Sequence, residues 1–196
     1  MDVNQLPDTV YHGTVSIHRD SLLSGIDINK GYKSVDFGQG FYTTSDLSQA
    51  KKIAYDRTNA YNKKRKPTKP AYPIVIEYKI DKTILLPLKG KLFDSPSEKW
   101  IEFIYNNRVG ADYVINSYYN LDRRYHYVYG CVADSNIADI ISGVKRGEIT
   151  YGYFYDHIKP LQSSKYNQLS FHSELSIQAL SFLRVIEFES EVLIHE

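Results

Sequence analysis

Apolar side chains recur at every second position between residues 74 and 80, and this period constrains the fold more than any other feature of the chain. The recurring residues are Ile74, Ile76, Tyr78 and Ile80. Because successive side chains of a β-strand point to opposite faces of the sheet, a period of two predicts a strand with one buried face. The fold must therefore contain a sheet that covers a hydrophobic core.

Strand and helix signals alternate along the rest of the sequence. Aromatic and β-branched residues predict further strands at 9–14, 41–44, 125–132, 168–172 and 183–192. Apolar residues at helical spacing predict helices after residues 46, 95, 134 and 173. This mixture predicts an α+β fold built on antiparallel sheets, and the length of 196 residues suits one domain, 1–196.

Capping residues mark where three of these helices begin. Asp46, with a glutamine three residues later, fits a capping box. Ser95 fits an N-cap whose helix has a proline at its first position. Asp134 or Ser135 fits the N-cap of the third helix. Residues 151–158 fit either a helix or irregular structure, and the sequence does not decide between them.

The charge balance and the single cysteine limit what the protein can be. Lysine and arginine total 24 against 23 acidic residues, so the whole chain gives no electrostatic indication of a polyanionic partner. Cys131 is the only cysteine, which excludes an internal disulfide bond and a zinc site built from several cysteines. With no secretory signal and no membrane-spanning run in the sequence, we expect a cytoplasmic protein that is not bound to a membrane.

Two segments have the composition of a nucleic-acid contact. Residues 62–70 combine cations with two prolines, which predicts an exposed, non-helical loop. Residues 113–125 combine tyrosines with Arg123 and Arg124, and such a surface can stack on and neutralise a single strand. A solvated loop and a half-buried aromatic surface explain the same residues without a ligand, so both interpretations stay open.

The motifs of several enzyme classes are absent from the sequence. The six histidines include no convincing helical pair and no HExxH pattern, so no metal site is predicted. There is no GxSxG elbow and no phosphate-binding glycine loop. Cys131 lies in an apolar strand, where a buried, inert thiol is expected. These features argue against nucleophilic hydrolases and nucleoside triphosphatases.

Residues 35–44 form the segment with the most distinctive local pattern. Gly38 and Gly40 allow the chain to bend or to approach another group closely. The aromatic and β-branched residues that follow predict a short strand that contains Tyr42. Alone, the segment fits a glycine turn that leads into a strand.

Three segments, far apart in the sequence, carry a joint pattern. They are Tyr-His-Gly-Thr at 11–14, Phe-Gly-Gln-Gly-Phe-Tyr-Thr-Thr at 37–44, and the segment that begins at Gln168. Together they resemble the NAD-dependent ADP-ribosyltransferases, in the branch that includes diphtheria toxin and the poly(ADP-ribose) polymerases. Within that branch the chain is similar to a bacterial family of small ADP-ribosyltransferase-like proteins, and residues 130–134 extend this likeness over most of the chain.

The resemblance implies a site built on a histidine, a tyrosine and a glutamate. His12 matches the histidine that hydrogen-bonds the adenosine-side ribose of NAD, and Gly13 matches the glycine whose backbone holds the nicotinamide carboxamide. Tyr42 matches the tyrosine whose ring stacks on nicotinamide. The NAD-binding set that the resemblance implies also includes Thr14, Gly40 and Phe41.

Gln168 stands where the family has its catalytic glutamate. An amide keeps a hydrogen bond to the ribose 2′-hydroxyl but loses the charge that stabilises an oxocarbenium-like transition state. Such a loss costs on the order of 3 kcal/mol, or about a hundredfold in rate, so we expect slower catalysis rather than none. Glu174, Glu187 and Glu189 are reserve candidates for a catalytic carboxylate.

The helix after Tyr42 carries a second departure from the family pattern. Eleven residues after Tyr42, where relatives commonly have another aromatic ring, this chain has Ile53, and Tyr55 follows two positions later. The sequence leaves open whether Ile53 or Tyr55 contacts nicotinamide.

The resemblance implies a fold of split antiparallel β-sheets with a central NAD cleft flanked by helices. It implies an enzyme that transfers ADP-ribose from NAD to a macromolecular acceptor, protein or nucleic acid, and releases nicotinamide. It also suggests a bacterial toxin or phage-defence effector with a cognate antitoxin. Two alternatives stay open, namely a catalytically degenerate module that binds NAD or ADP-ribose, and an NAD hydrolase.

Overall fold

The computed structural model describes residues 2–133, 137–158 and 166–188. The strands of this part lie at Thr9–Val15 (β1), Phe41–Thr43 (β2), Pro73–Ile80 (β3), Gly90–Leu92 (β4), Tyr127–Cys131 (β5), Asn167–Phe171 (β6) and Leu180–Glu187 (β7). Its α-helices lie at Arg19–Ser24 (α1), Leu47–Arg65 (α2), Lys82–Leu85 (α3), Glu98–Val109 (α4), Ile137–Lys145 (α5), Tyr151–His157 (α6) and Glu174–Ile177 (α7).

The strands form two sheets. The first has the order β1-β3-β7, and both of its pairs are antiparallel. The second has the order β2-β6-β5-β4, in which β4 and β5 run parallel and the other pairs are antiparallel. The predicted α+β class is therefore confirmed, and β4 with β5 is the one pair of described strands that departs from the predicted antiparallel pairing.

Strand β3 is the middle strand of the first sheet and is buried on both faces. Ile74 and Ile76 are fully buried on the predicted face, but Val75 on the opposite face is fully buried as well. Helix α2 covers that second face through Ala50 and Ala54. The prediction of a single buried face is wrong, because the period of a strand does not show that a helix elsewhere in the chain packs on it.

Two hydrophobic clusters lie on opposite faces of the second sheet. The first joins Phe41, Leu169 and Phe171 to the inner face of the first sheet, so it lies between the two sheets. The second contains Phe37, Trp100 and residues of α4, α5 and α6. Because neighbouring strand residues point to opposite faces, Phe41 enters the first cluster while the next residue of β2 packs on the second.

A single backbone bridge joins the two sheets within the described residues. The amide of Tyr11 donates to the Thr44 carbonyl at 2.8 Å, and the amide of Thr44 donates to the Tyr11 carbonyl at 3.0 Å. This pair is isolated and does not continue into a ladder. No further ladder pair joins β1 to β2 in the described residues, and we call the space between the two strands beside this bridge the opening.

Helix α2 extends further than the sequence predicts. Its last residue is Arg65, so the first part of the basic segment 62–70 is helical rather than a loop. Cations in the last turn interact favourably with the helix dipole, which is why residues 63–65 continue the helix. Lys66 then adopts a left-handed conformation with φ of 44° and ends it.

The start of α2 confirms the predicted cap but not the predicted capping box. The Asp46 carboxylate accepts a hydrogen bond from the Gln49 amide nitrogen at 2.8 Å. The Gln49 side chain does not return this bond. It donates instead to the Asn167 carbonyl at 3.1 Å and accepts from the Thr44 hydroxyl at 2.8 Å. Gln49 thus connects α2 to the beginning of β6.

Other predicted boundaries move or fall outside the described residues. Helix α4 is capped by Ser97 rather than Ser95, because Ser97 has the extended backbone and accepts from the Trp100 amide at 3.3 Å. Residues 151–157, which the sequence left undecided, are helical. The predicted caps Asp134 and Ser135 and the predicted strand end at 189–192 lie outside the described part of the chain.

No helix among the described residues combines the length and the apolar character that a membrane span requires.

Candidate functional site

The bridge between the sheets brings three predicted site residues together. Tyr11 lies opposite Glu77 in the ladder of β1 and β3, but its backbone amide and carbonyl are bonded to Thr44, so they point away from β3. Backbone groups two residues apart on a strand point in the same direction, so those of Gly13 also point away from β3. They face the opening between β1 and β2. His12 lies beside Gly13, and Tyr42 lies across the opening on β2.

A backbone carbonyl fixes the orientation of the His12 ring. Its Nδ1 lies 2.7 Å from the carbonyl oxygen of Tyr42, and its face stacks on Phe41 with the ring centroids 4.4 Å apart. Burial, and then the positive charge of Arg57, lowers the pKa of His12 to about 3, so the ring is neutral. A carbonyl only accepts, so Nδ1 carries the proton. Nε2 is left as a hydrogen-bond acceptor.

Gly13 packs closely against the backbone of α2. A Cβ atom at this position would lie 2.0 Å from the Ala50 carbonyl oxygen, so only glycine fits. The Gly13 carbonyl accepts a hydrogen bond from Arg57 Nη1 at 2.8 Å. The Arg57 side chain is exposed, and desolvation by the surrounding protein lowers its pKa. Within the described part of the chain, no carboxylate pairs with it.

The glycine bend before β2 holds the Tyr42 ring in place. Gly38 has a φ of 86°, and its carbonyl accepts a hydrogen bond from the Tyr42 hydroxyl at 2.8 Å. The same hydroxyl accepts a hydrogen bond from the Phe37 amide at 3.0 Å. Burial raises the pKa of the Tyr42 phenol well above its ordinary value, and the charge of Asp36 raises it further, so the phenol stays neutral. The two hydrogen bonds of the hydroxyl therefore fix the orientation of the half-buried Tyr42 ring.

The remaining residues predicted to bind NAD near these strands support the site from within the protein. A Cβ atom at Gly40 would lie 2.5 Å from the Phe171 carbonyl oxygen, so this glycine is required by packing against β6. Phe41 is buried beneath His12. Thr14 is also buried. The structure does not bring the side chains of these residues into the opening beside the Tyr42 ring.

Helix geometry separates Ile53 from Tyr55. Successive residues of an α-helix are about 100° apart, so Arg57 lies about 40° from Ile53 and about 160° from Tyr55 around the axis. Because Arg57 reaches the Gly13 carbonyl, Ile53 is on the Gly13 side of α2. The geometry thus favours Ile53 over Tyr55 as the residue of α2 nearer to the opening.

Gln168 lies on the same face of the second sheet as Tyr42. Tyr42 is directly opposite Ser170, and Gln168 is two residues before Ser170 on β6. Gln168 is 9% exposed. Its Nε2 donates to Asp36 Oδ2 at 2.7 Å and to the Cys131 carbonyl at 3.1 Å.

A buried ion pair stands behind Gln168. Asp36 Oδ1 accepts a hydrogen bond from Arg108 Nε at 2.6 Å, and the Asp36 side chain is 4% exposed. The Ala133 amide donates a hydrogen bond to Asp36 Oδ2 at 3.4 Å. A charged group this deeply buried is stable only with such partners. The nearest carboxylate to Gln168 in this network is therefore Asp36, which the sequence did not identify as a site residue.

The two reserve carboxylates that the structure describes lie on other elements. Glu174 is exposed in the first turn of α7. Glu187 is exposed at the end of β7, which is separated from β1 by β3, and it lies 3.5 Å from Arg19. Glu189 lies outside the described residues.

The sequence missed Asp36, Arg108 and Arg57. Asp36 lies within the segment 35–44, but its contact with Gln168 joins positions 132 apart in the chain. No local pattern reports such a contact. Arg57 had a weaker signal, because it lies one helical turn beyond Ile53 on the same side of a helix that the sequence did predict.

No three His, Cys, Asp or Glu side chains within residues 2–133, 137–158 and 166–188 are grouped so that they could hold a metal ion. The Cys131 thiol is half-buried, and burial raises its pKa, which disfavours the reactive thiolate.

His172 gives the site a measurable dependence of stability on pH. Its ring is fully buried between the Gln39 carbonyl, 2.9 Å from Nδ1, and the Ser170 hydroxyl, 2.8 Å from Nε2. Burial lowers the pKa of His172 from 6.5 to about 4. Below pH 6.5 the unfolded chain takes up a proton that the folded protein does not take up until about pH 4. Stability therefore falls over this interval, by about 3 kcal/mol from this residue.

We expect the His172→Gln variant to lose stability less steeply than the wild type between pH 6.5 and 4. Urea unfolding at several pH values measures the difference. Parallel curves for the two proteins would contradict the assignment of this pH dependence to His172.

Comparison with known proteins identifies the family of the chain. No curated protein matches the chain. The family described as "Protein of unknown function (DUF3990)" matches residues 9–182, a span that includes His12, Tyr42 and Gln168. Since the match covers most of the 196 residues, the chain belongs to this family.

Proposed function

We propose that the protein is an ADP-ribosyltransferase that transfers ADP-ribose from NAD to a macromolecular acceptor, protein or nucleic acid, and releases nicotinamide. One observation carries this proposal. His12 and Gly13 on β1 meet Tyr42 on β2 where the two sheets join, and Gln168 lies on the next strand, β6. The residues that the sequence resemblance singles out in three distant segments are thus neighbours across three strands.

The free groups at this opening suit a dinucleotide. His12 Nε2 is an acceptor for a ribose hydroxyl, and the Tyr42 ring offers a face to the cationic nicotinamide ring. Arg57 has no carboxylate partner among the described residues and supplies positive charge for the phosphates. As Arg57 turns to a phosphate it leaves the Gly13 carbonyl, which then accepts a hydrogen bond from the nicotinamide carboxamide.

The proposed reaction breaks the bond between the nicotinamide nitrogen and ribose C1′. The electron pair leaves with nicotinamide, and positive charge develops on the ribose. A nucleophile of the acceptor then bonds to C1′ and loses its proton. Gln168 Oε1 accepts a hydrogen bond from a ribose hydroxyl and orients the sugar. Because the amide is neutral, we expect the rate to be about a hundredfold below that of a site with a carboxylate there.

Labelled NAD tests the proposal. We expect purified protein, incubated with cell extract and NAD labelled in its adenosine part, to transfer label to a protein, RNA or DNA fraction. A Gln168→Ala variant should transfer about tenfold less, because it lacks the acceptor for the ribose hydroxyl. If none of the fractions carried label and the NAD stayed intact, the proposal would be contradicted. Free ADP-ribose without labelled macromolecule would instead identify an NAD hydrolase.

A binding module is the second candidate. The observation that favours it is the neutral and mostly buried amide of Gln168 at the catalytic position. Calorimetry with NAD distinguishes the two candidates when it is combined with the labelling assay. Tight binding without turnover supports the module, and turnover excludes it.

A further inference from the structure

The Gln168 amide is held in one orientation by two groups that can only accept hydrogen bonds. Its Nε2 lies 2.7 Å from the Asp36 carboxylate and 3.1 Å from the Cys131 carbonyl. Both protons of the amide are therefore used. A flipped amide would place Oε1 against two oxygen atoms that cannot donate. The chemistry of the partners therefore determines the positions of Oε1 and Nε2.

No donor among the described residues reaches Gln168 Oε1. A glutamine without such neighbours could offer a ligand either a donor or an acceptor. Here Gln168 offers an acceptor only, which is the hydrogen-bonding polarity of a carboxylate.

Asp36 is itself held rigidly. Its second carboxylate oxygen accepts from Arg108 at 2.6 Å, and its backbone carbonyl accepts from the Asn107 side chain at 3.2 Å. The side chain is 4% exposed, so it does not reach a ligand directly. Its hydrogen bond to Gln168, at 2.7 Å, connects Asp36 to the group that would contact the ligand.

We propose that Asp36 is a positioning residue that makes Gln168 an acceptor-only group, so that this point of the cleft selects a ligand hydroxyl and excludes hydrogen-bond acceptors. The inference rests on the proposed function, in which that hydroxyl belongs to the ribose of NAD. The buried charge of Asp36 also polarises the amide and strengthens Oε1 as an acceptor. Asp36 thereby replaces part of the negative charge that a glutamate at position 168 would supply.

The first test needs no NAD and no variant of Asp36. In the ¹⁵N-labelled full chain, both Nε2 protons of Gln168 should exchange with water at least about tenfold more slowly than those of the exposed Gln178. Exchange as fast as that of Gln178 would overturn the inference, whatever the activity of the protein.

The second test uses Asp36→Asn. We expect faster exchange at the Gln168 amide and a kcat for nicotinamide release about tenfold lower, with the KM for NAD changed less than about twofold. The double variant Asp36→Asn/Arg108→Gln, which leaves no unpaired buried cation, should behave in the same way. Asp122→Asn is the matched control, because it removes an aspartate paired with Arg124 at 2.8 Å at a partly exposed site.

The outcomes separate the inference from the proposed function. Slow exchange with unchanged kcat in both Asp36 variants would overturn the positioning role. Slow exchange without any nicotinamide release by the wild type would overturn the proposed function and leave the hydrogen bonds of the Gln168 amide to Asp36 and Cys131 uncontradicted. Slow exchange with lower kcat in the Asp36 variants, and not in Asp122→Asn, supports both.

Discussion

Tyr42→Ala is expected to reduce NAD turnover by about a hundredfold. In the proposed function the ring stacks on the cationic nicotinamide, and such a contact at a desolvated site is worth about 2 kcal/mol or more. The variant also removes the phenol that ties Phe37 and Gly38 to β2. Steady-state measurement of nicotinamide release gives the effect.

Tyr42→Phe is the matched control for this prediction. It retains the ring and loses both hydrogen bonds of the hydroxyl, so it leaves the buried Phe37 amide without its partner. We expect about 1–3 kcal/mol lower stability with most of the turnover retained. Equal turnover by Tyr42→Ala and the wild type would remove Tyr42 from the site, and equal losses in both variants would make its role structural.

Gly13→Ala is expected to destabilise the protein by about 3 kcal/mol or more. The added Cβ would lie 2.0 Å from the Ala50 carbonyl and 3.0 Å from the Ala54 amide nitrogen, and both are backbone atoms. Backbone cannot move aside as a flexible side chain can, so α2 must shift away from β1. Because α2 carries Arg57 and Ile53, the same shift should weaken NAD binding. Urea unfolding and calorimetry measure the two effects.

Gly152→Ala is the control for Gly13→Ala. Gly152 lies within α6, and the nearest atom to its added Cβ would be the Thr150 hydroxyl at 3.8 Å. Alanine favours the helix over glycine by about 1 kcal/mol, so this variant should be as stable as the wild type or more so. A Gly13→Ala variant as stable as the wild type would contradict the close approach of α2 to β1.

The sequence could predict what depends on neighbouring residues. The period of two placed β3, the aromatic and β-branched run placed β2, and the side chain of Asp46 marked the start of α2. The glycine bend at residue 38 is also a local property, and the structure shows that it positions the hydroxyl of Tyr42.

The sequence could not predict what depends on contacts between distant segments. Burial of Val75 depends on α2 packing on β3, and the environment of Gln168 depends on Asp36. A pattern in the chain shows that Gln168 is polar at the start of a strand. It does not show that a buried carboxylate fixes the orientation of the Gln168 amide. From the sequence alone, Gln168 therefore differed from the family's glutamate only by the loss of the negative charge.

In the proposed function, the opening between β1 and β2 binds NAD and splits it. Nicotinamide release, followed by chromatography, tests this most directly when the wild type and Tyr42→Ala are incubated with the same NAD and cell extract. We expect release in proportion to wild-type protein and about a hundredfold less with Tyr42→Ala. No release by the wild type, or equal release by both proteins, would contradict it.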